Sequence, residues 1–321
     1  MAQITEYKCA DFDGPADIVK VYLAQQGCVR AERAVIAIAG SADNPSNIVF
    51  TNGPWGQKPL HFTAIPADRT ETMNDFAAVC YSIATLGEMD CTTLIRRQSA
   101  PFFPATLLAA KDCNAKPARI LTSSPAHRFV TIGPGTGLGV GMGLVTDNGQ
   151  FLVVTSEGGH CAFAPDNEEE LKIKQYLESE NGIAVTNETF ASGTGLVTAF
   201  NSICKIRDID CAILNGSEVV AKLGNANSDI REAADRTLNL FSRTLGTCAA
   251  SAVLMSNART VFIGGGVLKK LGAHFNKATF THAFMSNDLG KNNALLDIPV
   301  MIVDPPQPGL AGADFYLKLT A

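Results

Sequence analysis

The stretch "RFVTIGPGTGLGVGMGLVTDNGQFLVVTS", residues 128–156, constrains the fold most. It reads as strand, glycine loop, strand, turn and strand, with Asp147-Asn148-Gly149 as a hairpin signal between two β-rich runs. The loop "GPGTGLGVG", residues 133–141, is not a dinucleotide fingerprint. The residue three beyond Gly135 is Leu138, and three beyond Gly141 is Leu144. A strand rather than a helix follows, and no GKS or GKT follows either. Two readings stay open. The loop can turn several N–H groups inward as an anion nest, with the Thr136 hydroxyl as a further donor. It can equally be a tight glycine-rich turn with no ligand.

The flanking sequence is α/β. "AQITEYKCA" reads as a strand, "ADIVKVYLAQQG" as a helix and "RAVIAIAG" as a buried strand ending on Gly40. "NIVFTN" reads as a further strand, after a polar turn "SADNPS". Residues 88–128 mix prolines, charges and short apolar runs, and read as an excursion with a short helix at "ATLLAAKD". Later come a charged helix in "NEEELKIKQYLESENG", a long helix over about 228–257, and a buried strand in "RTVFIGGGV". The chain ends in a strand, a Pro-rich break and a last helix.

Composition narrows the function classes. The 321 residues suffice for about two domains, and 46% hydrophobic with 18% charged residues fits a well-buried globule. A net charge of -5 without a basic run argues against nucleic acid or an anionic membrane as partner. Backbone N–H groups could still bind a nucleotide's phosphates. Nine scattered cysteines without CxxC spacing read as reduced thiols of a cytoplasmic protein. His and Cys do not cluster, so no metal site is expected. The first residues lack the apolar stretch of a signal peptide, and no run of about 18 apolar residues spans a membrane.

Three further stretches carry polar groups that could do chemistry. In "RTETMNDFAAVCYS", residues 69–82, Asn74 and Asp75 stand at the head of an apolar helical run. Asp75 is there either a helix cap or a catalytic base. In "SEGGHCAFAP", Glu157 and His160 bracket two glycines after an apolar strand, and Glu188 precedes "FASGTG". A carboxylate–imidazole–amide set suits a polyol, which needs many directional partners and little net charge; taken alone, His160 reads more readily as a hydrogen-bonded structural histidine than as a functional one. Gly264, Gly265 and Gly266 end a strand, where a flat ring could lie on bare backbone or a helix could pack closely.

Together these runs resemble the bacterial glucokinase family, the ATP-dependent hexose kinases of the actin-like, ribonuclease H-like fold. The matching runs are "MNDFAAV", "GPGTGLGVG", "SEGGHCAFAP", "NEEE", "ASGTGL", "VFIGGGV" and "QPGLAGA", in family order, with "TNGPW" a looser match. The resemblance implies a two-domain α/β fold with a cleft between the domains. Its small domain would comprise residues 1–88 with 305–321, and its large domain residues 89–304. It implies phosphorylation of glucose or a related hexose at the 6-hydroxyl, with Asp75 as base. Asn74, Glu157, His160 and Glu188 would bind sugar. Gly135, Thr136 and Gly137 would bind the phosphates of ATP, and Gly264, Gly265 and Gly266 its adenosine. Mg²⁺ would arrive with the ATP, and a homodimer, frequent in the family, is compatible with the chain.

The match is not complete. Family members begin with a strand and a DxGGT phosphate loop, and the sequence contains no such motif. The first domain is therefore expected to lack N-terminal strands. The alternative to an active kinase is a non-catalytic or weakly active sugar-binding paralogue. A sugar-responsive repressor of the wider class should carry a helix-turn-helix, which is absent. The stretch "HFTAIPADRTETM" is also more polar than the strand usual before the NDF motif.

Overall fold

The computed structural model describes residues 4–40, 48–49, 54–55, 59–95, 127–146, 150–182, 184–286 and 298–320. The expected hairpin turn at Asp147-Asn148-Gly149, most of the 88–128 excursion and its short helix lie outside the described residues. The strands are β1 (Ala31–Ile38), β2 (Ile48–Val49), β3 (Pro59–Leu60), β4 (Ala67–Asn74), β5 (Cys91–Ile95), β6 (His127–Pro134), β7 (Leu138–Val145), β8 (Phe151–Ser156), β9 (Thr260–Gly264) and β10 (Val300–Val303). The helices are α1 (Pro15–Gln25), α2 (Asp75–Ser82), α3 (Glu168–Asn181), α4 (Gly193–Ile206), α5 (Ser217–Lys222), α6 (Ser228–Ser256), α7 (Gly266–Leu271), α8 (Lys277–Met285) and α9 (Pro308–Leu319).

The chain forms two compact units. In the first, β1 and β4 pair in parallel from Ala31↔Ala67 to Ile38↔Asn74. Their carboxyl ends are therefore flush, and α2 starts directly from that end. The polar run before Asn74 is thus a strand after all, because alternate residues find ion-pair partners. Arg33 on β1 donates to Glu71 on β4 at 2.7 Å, and Tyr316 on α9 donates to the other Glu71 oxygen at 3.1 Å. Arg33 also donates to the Leu317 carbonyl, which fastens the last helix to the sheet. Helix α9 lies close on α2: a Cβ at Gly312 would stand 1.7 Å from the Ala78 carbonyl oxygen. β1 is only half-buried apart from Ile38, less than its apolar sequence suggests.

The strand expected in "AQITEYKCA" is not formed. Residues 4–8 are irregular and Cys9–Asp11 make a 3₁₀ turn. An isolated strand leaves its ladder groups unpaired; here the backbone closes local turns instead, Asp11 N–H donating to Lys8 O at 3.0 Å, and Tyr7 Oη donates to the Gln25 side chain at 2.6 Å.

The second unit is built on a six-stranded sheet in the order β5-β10-β9-β6-β7-β8. β10, β9 and β6 run parallel, while β5 and the β6–β7–β8 meander pair antiparallel. β9 is buried throughout, as parallel strands covered on both faces are. The long helix α6 presents Leu238, Phe241, Leu245, Ala249 and Val253 to the core, a spacing of three to four residues that keeps one face inward. Gly143 lets the Phe129 ring lie across β7, since a Cβ there would come within 1.8 Å of it.

Cys80, Cys204 and Cys248 are buried, and burial pushes the Cys248 thiol up to about 12. Among the described residues no helix is long and apolar enough to cross a membrane.

Candidate active site

The carboxyl ends of β6, β8 and β9 in the second unit carry most of the predicted residues. In open α/β sheets that is the end where ligands bind. The glycine loop is shorter than expected. Gly133 pairs with Gly139 and Pro134 with Leu138, so only Gly135, Thr136 and Gly137 stand outside the ladder. The Gly135 N–H closes this turn on the Gly137 carbonyl at 2.8 Å. The hairpin's carbonyls point the other way, toward the start of α4. Gly135 O accepts from the Gly193 N–H at 2.8 Å, and Thr136 O accepts from the Thr194 hydroxyl at 3.0 Å. Among the described residues the Thr136 and Gly137 N–H groups find no acceptor. Carbonyls tied back and N–H groups left free is the polarity of an anion nest.

Gly265 adopts φ +141°, and a Cβ there would come 2.4 Å from the Pro134 carbonyl oxygen. Close packing of the β9–α7 junction onto the end of β6 therefore requires glycine at this position. Gly266 faces open space and Gly264 is buried. The two glycine motifs, distant in sequence, are neighbours.

Glu157, His160 and Glu188 also come together. The segments 158–163 and 185–188 run antiparallel: Phe163 N–H donates to Val185 O, Asn187 N–H to Cys161 O, and Glu188 N–H to Gly159 O. A bridge between Ala162 and Thr186 completes the pairing. His160 Nε2 lies 3.8 Å from Glu157 Oε2, and its Nδ1 lies 4.0 Å from Glu188 Oε1. Glu157 and His160 are exposed, whereas Glu188 is partly buried. The second glycine of the EGGH run is obligatory, because a Cβ at Gly159 would stand 2.1 Å from the Leu138 carbonyl oxygen.

Two contributors were missed by the sequence reading. Ser192, fully buried, accepts from the Gly195 N–H at 2.9 Å as the N-cap of α4. It donates to the Glu188 carbonyl at 2.8 Å and so holds that residue's backbone. A serine just before an apolar helical run is an N-cap signature, which could have found it. The other is the Leu138 N–H, which donates to Glu188 Oε2 at 2.7 Å; no sequence signal marks it.

Asn74 and Asp75 belong to the first unit. The structure divides the two roles that the sequence left open. Asn74 is the cap: its Oδ1 accepts from the Phe76 N–H at 2.9 Å and the Ala77 N–H at 3.2 Å, while its Nδ2 donates to Gly40 O at 3.2 Å. Asp75 is the first helical residue and is exposed, with one oxygen accepting from the Phe76 N–H at 2.8 Å. Protein atoms crowding its carboxyl raise its pKa above the usual aspartate value, against the opposing pull of backbone N–H groups.

The comparisons with known proteins show the family through a family model and through curated relatives. The family model described as Glucokinase matches residues 1–320. A protein of Xylella fastidiosa (strain 9a5c) named glucokinase is 32% identical over 320 residues, covering 99% of this chain and 87% of that protein. Among solved structures, a glucokinase from an Antarctic psychrotroph superimposes with a TM-score of 0.73 at 24% identity, covering 97% of this chain and 88% of the other. A glucokinase from Balamuthia mandrillaris in complex with glucose does so with a TM-score of 0.69 at 18% identity, covering 96% and 84%. The fold is thereby that of the actin-like sugar kinases.

Proposed function

The chain belongs to the glucokinase family of sugar kinases, and from that premise we propose that it transfers the γ-phosphoryl group of ATP to the 6-hydroxyl of glucose. Glucose 6-phosphate and ADP are the products. The observation that carries the reading is the seat of Glu188, whose carboxylate lies between the glycine hairpin and His160. A hydrogen-bonding group set for a polyol there adjoins a set of free N–H groups for an anion.

In this reading Glu157, His160 and Glu188 accept and donate hydrogen bonds to the sugar's hydroxyls, and Asn74 is a further sugar-binding residue. The N–H groups of Thr136 and Gly137, with the Thr136 hydroxyl, bind phosphate oxygens. The bare backbone at Gly264, Gly265 and Gly266 takes the adenosine. Asp75 accepts the proton of the 6-hydroxyl as its oxygen attacks phosphorus in line. Two features support that role. Asn74 supplies the cap, so only one Asp75 oxygen is engaged at the helix start, by the Phe76 N–H, and crowding makes the carboxylate more basic than an ordinary aspartate. Mg²⁺ would arrive with the nucleotide as part of the substrate and would offset the charge of its phosphates.

The test is ADP release by the purified chain with Mg-ATP, with and without glucose, beside Asp75→Asn. Glucose-dependent release that Asp75→Asn abolishes, with glucose binding retained, supports the reading. Near-normal turnover of that variant removes Asp75 from the mechanism. A folded chain that binds glucose and releases no ADP supports the sugar-binding alternative.

A further inference from the structure

Gly137 stands in front of a carboxylate. A Cβ built there would lie 2.5 Å from Glu188 Oε2 and 3.2 Å from its carboxyl carbon. The next N–H in the chain, that of Leu138, donates to the same Oε2 at 2.7 Å. Leu138 begins β7 and is buried, so this donor is fixed by the sheet. The Glu188 backbone is fixed independently, by its own N–H on Gly159 O and by Ser192 on its carbonyl. What remains is the direction of the side chain, and the hairpin sets it. One oxygen is held by Leu138 N–H in the space a missing side chain leaves at Gly137, and the other faces His160.

We infer that Gly137 is a positioning residue for the sugar carboxylate. The resemblance gave it to the phosphates alone; the geometry gives it a second and separable duty on the sugar side. The inference rests on Glu188 binding sugar, as proposed above. Any side chain at 137 pushes the carboxylate off the Leu138 N–H and away from the orientation it shares with His160. The hairpin therefore links the two halves of the site, since the strand that begins at the phosphate turn also aims the carboxylate that would bind the sugar.

Glucose binding is measured by calorimetry without nucleotide for the native chain, Gly137→Ala, Glu188→Ala and the double variant, alongside steady-state KM values for glucose and ATP. Loss of a charge-assisted hydrogen bond is expected to raise the glucose Kd of Gly137→Ala about tenfold or more, with a smaller change in the ATP KM. In the Glu188→Ala background the same glycine substitution is expected to have no further effect, because nothing remains for the methyl to displace. An unchanged glucose Kd in Gly137→Ala, a change in the ATP KM alone, or additive effects in the double variant would each overturn the inference. Should Gly137→Ala fail to fold, the double variant is expected to recover folding; if it does not, the inference fails. A folded native chain that binds no glucose overturns the reading of the site and this inference with it, whereas a glucose-binding native chain with an indifferent Gly137→Ala overturns the inference alone.

Discussion

Two carboxylates, Asp75 and Glu188, are held by opposite means. Asp75 depends on its neighbours in sequence: Asn74 caps the helix, and Asp75 follows as its first residue. Glu188 depends on groups far along the chain, with Leu138 fifty residues away binding its side chain. The supports differ in kind as well. Asp75 rises from a two-stranded parallel pair braced by the C-terminal helix, Glu188 from loops on a six-stranded sheet with a continuous apolar core. A local support can be cut by one substitution beside the residue. A distributed support fails through close contacts that have no side chain at all, at Gly137 and Gly159.

The largest expected effect separates the two roles. Asp75→Asn should lower kcat by ~10²–10⁴-fold, the range of general-base catalysis, while the glucose Kd stays near native. Glu188→Ala should do the reverse, raising the glucose Kd more than it lowers kcat. Equal effects of both on Kd would erase the distinction, and calorimetry beside steady-state kinetics reads it directly.

Gly312→Ala comes next. The added methyl would stand 1.7 Å from the Ala78 carbonyl oxygen, a backbone atom that cannot swing aside, and overpacking of that sort costs about 1–3 kcal/mol. Because the contact lies in the first unit, a lowered Tm should accompany impaired turnover while the glycine-hairpin contacts persist. An unchanged Tm would mean that α9 shifts freely on α2.

Cap removal tests the local support. Asn74→Ala strips the acceptor from the Phe76 and Ala77 N–H groups and should cost about 1 kcal/mol, whereas Asn74→Ser keeps a capping oxygen and should recover most of it. Ser192→Ala is the matching change in the second unit, with a similar loss of about 1 kcal/mol as N-cap. Denaturant midpoints compare the four chains.

The smallest effect concerns pH. The folded-state pKa of Asp75 is raised, so the folded chain holds that proton to higher pH than the unfolded chain does. Ionising Asp75 therefore disfavours folding as pH rises from the ordinary aspartate range through the raised value. Asp75→Asn should be at least as stable as the native chain at neutral pH, with the advantage vanishing in acid below the ordinary range. A variant less stable at neutral pH would show that the charge instead supports the helix start.

Much of this was legible beforehand. The meander was marked by glycines and β-branched runs, the long helix by its apolar period, and the Asn-Asp pair by its place before an apolar run. Each is a signal between near neighbours. The misreadings have physical causes. "AQITEYKCA" has a strand-like composition, but a strand needs a partner to take its ladder hydrogen bonds, and sequence does not name one. The glycine loop looked longer than it is because glycine-rich residues can continue a ladder once a facing strand supplies the bonds.

By itself, then, the sequence determined the types of the site's residues, the order of the motifs and the cap-then-carboxylate arrangement at 74–75, since backbone propensity and capping act within a turn or two of chain. Only the tertiary structure decided that Gly265 packs on Pro134 and that Glu188 is aimed by Leu138. Those contacts join residues tens to more than a hundred positions apart, and their strength lies in distances of a few ångströms that exist only once the sheet has formed.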